Sequence, residues 1–244
     1  MKTIILGDIH GSNIWKKIVE EESPDKVIFV GDYFDSFDIS FAEQLYNFNE
    51  ILEYKKSGKA EVILLLGNHD YHYLPFVNEN YSGYQVQNKL YIQAVLSENI
   101  NHFKMCHSID SILISHAGVS NTWLKKCLKA TNTESYDSAK SIESLVNLVW
   151  EYKPDLFKFN GLDPYGDSEI SSPIWIRPKS LQRSNYDNLR KEIIQVVGHT
   201  QQRFIDIHGK TTGGRYYYID TLNTSGEYLG IIDGEIKCFK VNKS

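Results

Sequence analysis

Five short polar segments of this chain carry residue types that bind metals or move protons. In chain order they are Gly7–Gly11, Gly31–Asp35, Gly67–Asp70, His116–Gly118 and Gly198–Thr200. Most of them follow an apolar run, which is where a strand ends and a loop begins. Each segment alone is compatible with an ordinary turn. Together they indicate a hydrolytic site with two metal ions.

The first two segments provide carboxylates at the ends of predicted strands. Asp8 and His10 are two residues apart, so they project to the same side on leaving a strand and can share a metal. Asp32 follows the apolar run 27–30, and beside Asp8 at the same carboxyl edge it would be able to bridge two cations. Asp35 is then expected to orient a histidine or to cap the next segment.

The other three segments add neutral ligands and a proton donor. Asn68, after the apolar run 62–66, offers an amide oxygen to a metal, and His69 is expected to stand beside the metals and move a proton. His116 and His199 each end a predicted strand. Carboxylate, imidazole and amide groups without a thiolate favour Mn, Fe, Zn, Co or Ni over a structural zinc site.

The pattern around these segments predicts an α/β fold. Runs that are apolar throughout indicate strands covered on both faces, and amphipathic helices fill the early gaps between them. The last third has turn signals between short strands and predicts antiparallel hairpins. The stretch 121–162 is mainly helical in pattern. We expect it to be an insert within a single domain that spans residues 1–244.

The composition is that of an ordinary globular protein, with 244 residues, 41% hydrophobic and 23% charged. A net charge of −5 gives no global attraction to nucleic acid, and none is expected as a partner. No window reaches the ~18 apolar residues of a membrane helix, so we expect no membrane association. The short apolar start and three cysteines without a CxxC pair favour a cytoplasmic protein with free thiols. The composition makes no prediction about oligomeric state.

The motif series GD-x-HG, GD-x-x-D, GNH-D, HAG and GHT resembles the calcineurin-like metallophosphoesterases. It is most similar to the branch that contains the phosphoprotein phosphatases and the bacterial symmetrical diadenosine tetraphosphate hydrolases. The segment Tyr217–Thr221 resembles the late Ile-Asp-Thr strand of that family, so the match extends from Met1 to about Leu222. The resemblance implies a four-layer α/β/β/α sandwich with a helical insert, and a phosphorylated substrate.

The resemblance also implies a role for each matched residue. Two divalent ions are implied, with manganese first and Fe, Zn, Ni or Co as alternatives. The implied ligands are Asp8, His10 and Asp32 for one ion, and Asp32, Asn68, His116 and His199 for the other. His69 would be the general acid, paired with Asp35. The segment Ile174–Pro178 resembles the tryptophan-plus-arginine segment of the family, so Arg177, with Asn68, would bind the phosphate of the substrate.

One position departs from the family pattern. Ser36 follows Asp35, where phosphoprotein phosphatases have an arginine. Four other basic residues are candidates for its role: Lys179, Arg183, Arg203 and Arg215.

Three hypotheses of function follow. The first is a phosphomonoesterase, including one that acts on phosphoserine or phosphothreonine in proteins, with a metal-activated hydroxide as nucleophile. The second is a hydrolase of dinucleoside polyphosphates or of another nucleotide anhydride or diester. Tyr33, Tyr71 and Tyr73 would then stack on a base, unless they pack between helices and sheet. The third is a metal-binding pseudo-enzyme, supported only by the missing arginine.

Overall fold

The computed structural model describes residues 1–160, 163, 167–185, 192–209 and 215–241. The strands of this part of the chain are β1 (Lys2–Leu6), β2 (Lys26–Phe29), β3 (Glu61–Leu65), β4 (Phe103–Lys104), β5 (Cys106–Ile109), β6 (Ile112–Ser115), β7 (Ile194–Val197), β8 (Asp206–His208), β9 (Arg215–Tyr218), β10 (Glu227–Ile232) and β11 (Glu235–Lys240). Its α-helices are α1 (Ile14–Glu22), α2 (Phe41–Lys56), α3 (Asn68–Tyr71), α4 (Lys89–Glu98), α5 (Asn121–Thr131), α6 (Ala139–Tyr152) and α7 (Pro178–Asn185). Short 3-10 helices occupy Val86–Asn88, Ile100–His102 and Pro154–Phe157.

This mixture of strands and helices confirms the predicted α/β class. Helices α5 and α6 and one 3-10 helix lie within the stretch 121–162, of which residues 161 and 162 lie outside the described residues. No helix in the described ranges combines the length and the apolar character that crossing a lipid bilayer requires.

The chain divides into two compact units. The first consists of Met1–Phe103, Gln201–Ile205 and the chain from Ile219 onwards. The second consists of Lys104–Thr200 and Asp206–Tyr218.

The sheet of the first unit has the strand order β11-β10-β1-β2-β3-β4. Strands β1, β2 and β3 are parallel, with Ile5 opposite Ile28 and Ile28 opposite Ile63. Nearly all their residues are buried, as expected for parallel strands covered on both faces. Strand β10 runs antiparallel to both β1 and β11, which confirms the hairpin predicted at the end of the chain. Because β1, β2 and β3 are parallel, their carboxyl ends lie at one edge of the sheet.

Two amphipathic helices pack in this unit. Helix α1 buries Trp15, whose ring lies 5.7 Å from that of Phe29 on β2. Helix α2 begins with a capping box, in which Ser40 Oγ accepts the Glu43 N–H and the Glu43 carboxylate accepts the Ser40 N–H. These contacts hold the end of the segment between β2 and α2, which carries two of the predicted site residues, Asp32 and Asp35.

The sheet of the second unit has the strand order β5-β6-β7-β9-β8. Strands β6, β7 and β9 are parallel, and Ser115 at the end of β6 lies opposite Val197 at the end of β7. Helix α6 is tied to β5 by Asn147, whose side chain accepts from Met105 N–H and donates to the Cys106 carbonyl. The pairing of β6 with β7 places the ends of these two strands side by side, so the histidines that follow them leave neighbouring strands.

Candidate active site

In the first unit, three parallel strands deliver three predicted metal ligands to one edge of the sheet. Asp8 follows β1, Asp32 follows β2 and Asn68 follows β3. All three side chains are almost fully buried, with exposed fractions of 1%, 1% and 2%. Carboxylates are rarely buried to this degree unless a charge or hydrogen bonds compensate them.

The loops after β1 and β2 are held in an unusual backbone conformation. His10, Asp32 and Asp35 have φ values of 42°, 54° and 66°, in the left-handed region that non-glycine residues seldom adopt. The His10 N–H donates to the Asp32 carbonyl at 2.6 Å, and the Gly11 N–H donates to the Tyr33 carbonyl at 3.0 Å. These bonds tie the two loops together. Strained backbone of this kind clusters at functional sites.

The charges of this site fit a bound cation. Burial raises the pKa of Asp32 well above its usual range, and the neighbouring carboxylates of Asp8, Asp70 and Asp220 raise it further. Several acidic groups held this close repel one another unless a cation lies among them. Buried oxygen ligands of this kind suit the divalent metals predicted from the sequence.

His10 has the geometry and charge state that a neutral metal ligand needs. Its Nδ1 lies 2.6 Å from the Phe34 carbonyl, which accepts a proton, so Nδ1 is the protonated nitrogen. Its Nε2 is thereby left as the ligand atom and lies 3.7 Å from Asp32 Oδ2. Burial is the main reason that the pKa of His10 falls to about 4, which keeps the ring neutral at physiological pH.

Asp70 has a structural task that sequence reasoning did not assign. Its fully buried carboxylate accepts the N–H groups of Asp32 at 2.8 Å, Tyr33 at 2.8 Å and Gly67 at 3.0 Å. Burial raises the pKa of Asp70 to about 7 in spite of these bonds. Asp70 therefore fixes the turn that presents Asp32. Its place in the third motif was the only signal for it in the sequence.

His69 and Asp35 form the predicted pair. His69 Nδ1 lies 2.9 Å from Asp35 Oδ2, and the His69 N–H donates to Asp32 Oδ1 at 2.9 Å. Burial favours the neutral Asp35 carboxyl, but contacts from His69 and His72 outweigh that effect and lower its pKa. The imidazole of His69 is thus held beside a predicted metal ligand, with Nδ1 turned to the carboxylate.

His72, which is not among the predicted site residues, is buried against the same carboxylate. Its Nε2 lies 2.8 Å from Asp35 Oδ2. The ligand atoms of Asp35, His69 and His72 all lie within 4.8 Å of one another, close enough to hold an ion. Because His69 Nδ1 is hydrogen-bonded to Asp35 and His72 Nε2 approaches the same oxygen closely, we interpret the three as a proton-holding cluster. The only indication in the sequence that His72 lies near the site was its position three residues after His69.

The three tyrosines considered for base stacking pack in the core instead. Tyr33, Tyr71 and Tyr73 are fully buried. Tyr33 donates its hydroxyl proton to the Leu65 carbonyl, and its ring lies 5.1 Å from that of Phe48. They therefore offer no exposed face to a nucleobase.

Ser36, at the position of the missing arginine, makes hydrogen bonds within its own turn. Its Oγ accepts the N–H groups of Asp38 at 3.3 Å and Ile39 at 3.1 Å. Its own N–H donates to Gln44 Oε1 at 3.3 Å. The segment therefore carries no cation at this position.

In the second unit, His116 and His199 follow the neighbouring parallel strands β6 and β7. His116 is fully buried, His199 is 9% exposed, and their ring centroids lie 5.1 Å apart. His199 Nε2 lies 3.1 Å from the Trp175 carbonyl, a contact that orients the imidazole ring. With a φ of 64°, His199 shares the left-handed backbone conformation of His10, Asp32 and Asp35.

Arg177, the predicted phosphate clamp, is anchored beside His199. One guanidinium nitrogen donates to the His199 carbonyl and to Thr200 Oγ1, both at 3.1 Å. Three of the four candidates for the role of the missing arginine contact a neighbouring side chain. Arg183 pairs with Glu169, Arg215 donates to the Tyr217 hydroxyl, and Arg203 lies over the ring of Phe204. The fourth candidate, Lys179, is exposed.

Comparison with known proteins identifies the fold. The model of the calcineurin-like phosphoesterase family matches residues 1–229. No curated protein matches this sequence. Among solved structures, a cold-active protein-tyrosine phosphatase of a psychrophile, Shewanella sp., is similar with a TM-score of 0.62 at 15% identity, over 97% of this chain and 77% of that chain.

A protein serine/threonine phosphatase from Saccharomyces cerevisiae, with similarity to human phosphatase PP5, is also similar. Its TM-score is 0.57 at 12% identity, over 100% of this chain and 81% of that chain. At identities this low, the likeness of both structures establishes the fold and not the substrate.

Proposed function

Because this chain belongs to the calcineurin-like phosphoesterase family, we propose that its substrate is a phosphomonoester, including phosphoserine or phosphothreonine in a protein. Membership of the family makes the chain a metal-dependent phosphoester hydrolase. The choice of a monoester rests on the geometry of the His69–Asp35 pair.

We propose that two divalent ions are held as the sequence resemblance implies. The proposed ligands are Asp8, His10 and Asp32 for one ion, and Asp32, Asn68, His116 and His199 for the other. Manganese is the first choice of metal. The buried carboxylates and the orientation of the His10 and His199 rings support this assignment. When bound, such ions lower the pKa of a water nucleophile and neutralise charge on the phosphoryl oxygens.

His69 would then supply the proton that the departing oxygen needs. Asp35 accepts from Nδ1, so Nε2 of the protonated ring is the donor to the leaving group. The alkoxide of serine is a poor leaving group unless it receives this proton. A nucleotide phosphate is a stable leaving group without it. A well-held proton donor therefore favours a monoester of an alcohol. Arg177 and Asn68 would bind the phosphate oxygens.

The second candidate is a dinucleoside polyphosphate hydrolase or nucleotide phosphodiesterase. One observation favours it: Ser36 stands where the phosphoprotein phosphatases have arginine, and its oxygen is engaged in its own turn. The burial of Tyr33, Tyr71 and Tyr73 removes the stacking argument that supported this alternative.

The test compares leaving groups in the Mn²⁺-loaded protein. Wild type is expected to hydrolyse a phosphoserine peptide faster than diadenosine tetraphosphate or a cyclic nucleotide. His69→Asn should lower the phosphopeptide rate by about 10²–10⁴ and leave p-nitrophenyl phosphate hydrolysis much less affected. His102→Asn, at an exposed histidine of the same unit, is the matched control. A wild type that cleaves only the nucleotide substrates would contradict the proposal.

A further inference from the structure

We propose that His72 is a positioning residue, which holds Asp35 and through it orients the proton-donating ring of His69. The inference rests on the proposed function and adds to it a residue outside the proposed ligand set. All the residues involved lie in the first unit of the chain.

The carboxylate of Asp35 is shared by two imidazoles. Its Oδ2 lies 2.9 Å from His69 Nδ1 and 2.8 Å from His72 Nε2. The side chains of Asp35 and His72 are fully buried, whereas that of His69 is 19% exposed. The buried imidazole therefore lies on the protein side of the carboxylate, and the accessible one is left to meet a leaving group.

The other oxygen of Asp35 is also held. Oδ1 accepts the hydroxyl proton of Tyr73 at 2.5 Å and a proton from Gln85 Nε2 at 3.4 Å. The Gln85 N–H in turn donates to the Tyr73 oxygen at 2.7 Å. With contacts on both oxygens, the carboxylate cannot rotate, and its direction toward His69 is fixed.

His72 is enclosed by aromatic rings that leave it little freedom. Its ring stacks on that of Tyr81 with centroids 5.3 Å apart, and it is nearly perpendicular to the rings of Tyr73 at 4.4 Å and Tyr84 at 4.8 Å. Within the described residues neither of its ring nitrogens has a well-aligned hydrogen bond. Burying an imidazole without such bonds is costly, so a side chain needed only for packing would be better apolar. The close contact with Asp35 is the feature that an apolar residue would lack.

The first test compares substrates that differ in their need for the proton. His72→Ala should lower kcat for a phosphoserine peptide by about 10–100-fold, as the loss of a supporting residue typically does. Hydrolysis of p-nitrophenyl phosphate, whose leaving group needs little protonation, should change by less than about 3-fold. KM should stay unchanged. His72→Gln, whose amide can place an N–H near the position of Nε2, should restore much of the lost rate.

The second test reads the state of His69 without activity. In the metal-free protein labelled with ¹⁵N-histidine, NMR reports which nitrogen of His69 carries the proton. Wild type should show the proton on Nδ1, and His72→Ala should show a mixture of both tautomers. His102→Ala should leave both the spectrum of His69 and the kinetics unchanged.

The outcomes of these tests distinguish a failure of the positioning role from a failure of the proposed function. Equal loss of both substrates in His72→Ala and His72→Gln, or an unchanged His69 tautomer, would overturn the positioning role alone. Wild type that hydrolyses no phosphomonoester with any metal would overturn the proposed function, and the positioning role with it. If His72→Ala does not fold, Tyr73→Phe can replace it, because it removes a hydrogen bond to the other oxygen of Asp35. Tyr73→Phe should then also lower kcat for the phosphoserine peptide more than for p-nitrophenyl phosphate.

Discussion

Asp32 combines three properties that are individually uncommon in a carboxylate. It is buried, it lies among other acidic groups, and it adopts a left-handed backbone conformation. Each property costs stability in the absence of a cation. Their coincidence at one residue supports its proposed place between two metal ions.

Asp32→Asn should separate metal binding from folding. Asparagine has the same shape, tolerates the left-handed region and keeps an oxygen for the His69 N–H. Because one buried negative charge disappears, the metal-free variant should melt at or above the wild-type temperature. It should also lose the metal-induced stabilisation, about 2.7 kcal/mol for wild type at a metal concentration of 100 Kd.

Thermal melts with and without Mn²⁺ measure both effects. Asp38→Asn, at an exposed carboxylate nearby, is the control and should retain the metal response. A metal-free Asp32→Asn that melts below wild type would contradict the account of charge repulsion.

At the scale of elements, the site depends on the close approach of the loops after β2 and β3. A Cβ atom added at Gly67 would lie 2.0 Å from Asp32 Oδ1. Glycine is required here by space, since its φ of −97° is open to any residue. The turn before α3 therefore exists in its present form only because residue 67 has no side chain.

Gly67→Ala should lower both stability and metal affinity. Overpacking at this contact should cost about 1–3 kcal/mol and displace Asp32. Gly58→Ala is a matched control, because its φ is +68° and no atom lies within 4 Å of the added Cβ. It should cost about 1–2 kcal/mol through backbone strain and leave the metal affinity unchanged. Titration calorimetry with Mn²⁺ and urea unfolding measure the two quantities; equal metal affinities in the two variants would argue against the role of Gly67.

The contact between α6 and β5 gives the second unit a pH dependence. Burial raises the pKa of Glu143, but hydrogen bonds from His107, Lys140 and Ser108 outweigh it and hold the pKa well below the usual 4.5. Since the folded pKa is depressed, this stabilisation is complete above pH 4.5 and is lost as the pH falls below it. Glu143→Gln should therefore melt below wild type at neutral pH, and the difference should shrink below pH 4.5. Glu134→Gln, at an exposed position, should show no such trend.

For the whole molecule, the proposed ligands fall in two units of the chain. Asp8, His10, Asp32 and Asn68 belong to the first unit, and His116 and His199 to the second. The single domain expected from the sequence therefore stays a prediction. If the chain is one domain, calorimetry should record one cooperative unfolding transition. Two separate transitions would contradict the single domain.

The sequence determined the family, the α/β class and the identity of the residues at the ends of the strands. It could do so because apolar runs mark buried parallel strands, and parallel strands bring their carboxyl ends to one edge. The tertiary structure decided the surroundings of those residues. Asp70, His72, Tyr73 and Gln85 reach their partners through side-chain directions and loop paths that no local pattern encodes. The proposed ligands can thus be predicted from strand ends and spacing, whereas the support of the proposed proton donor depends on how distant side chains pack.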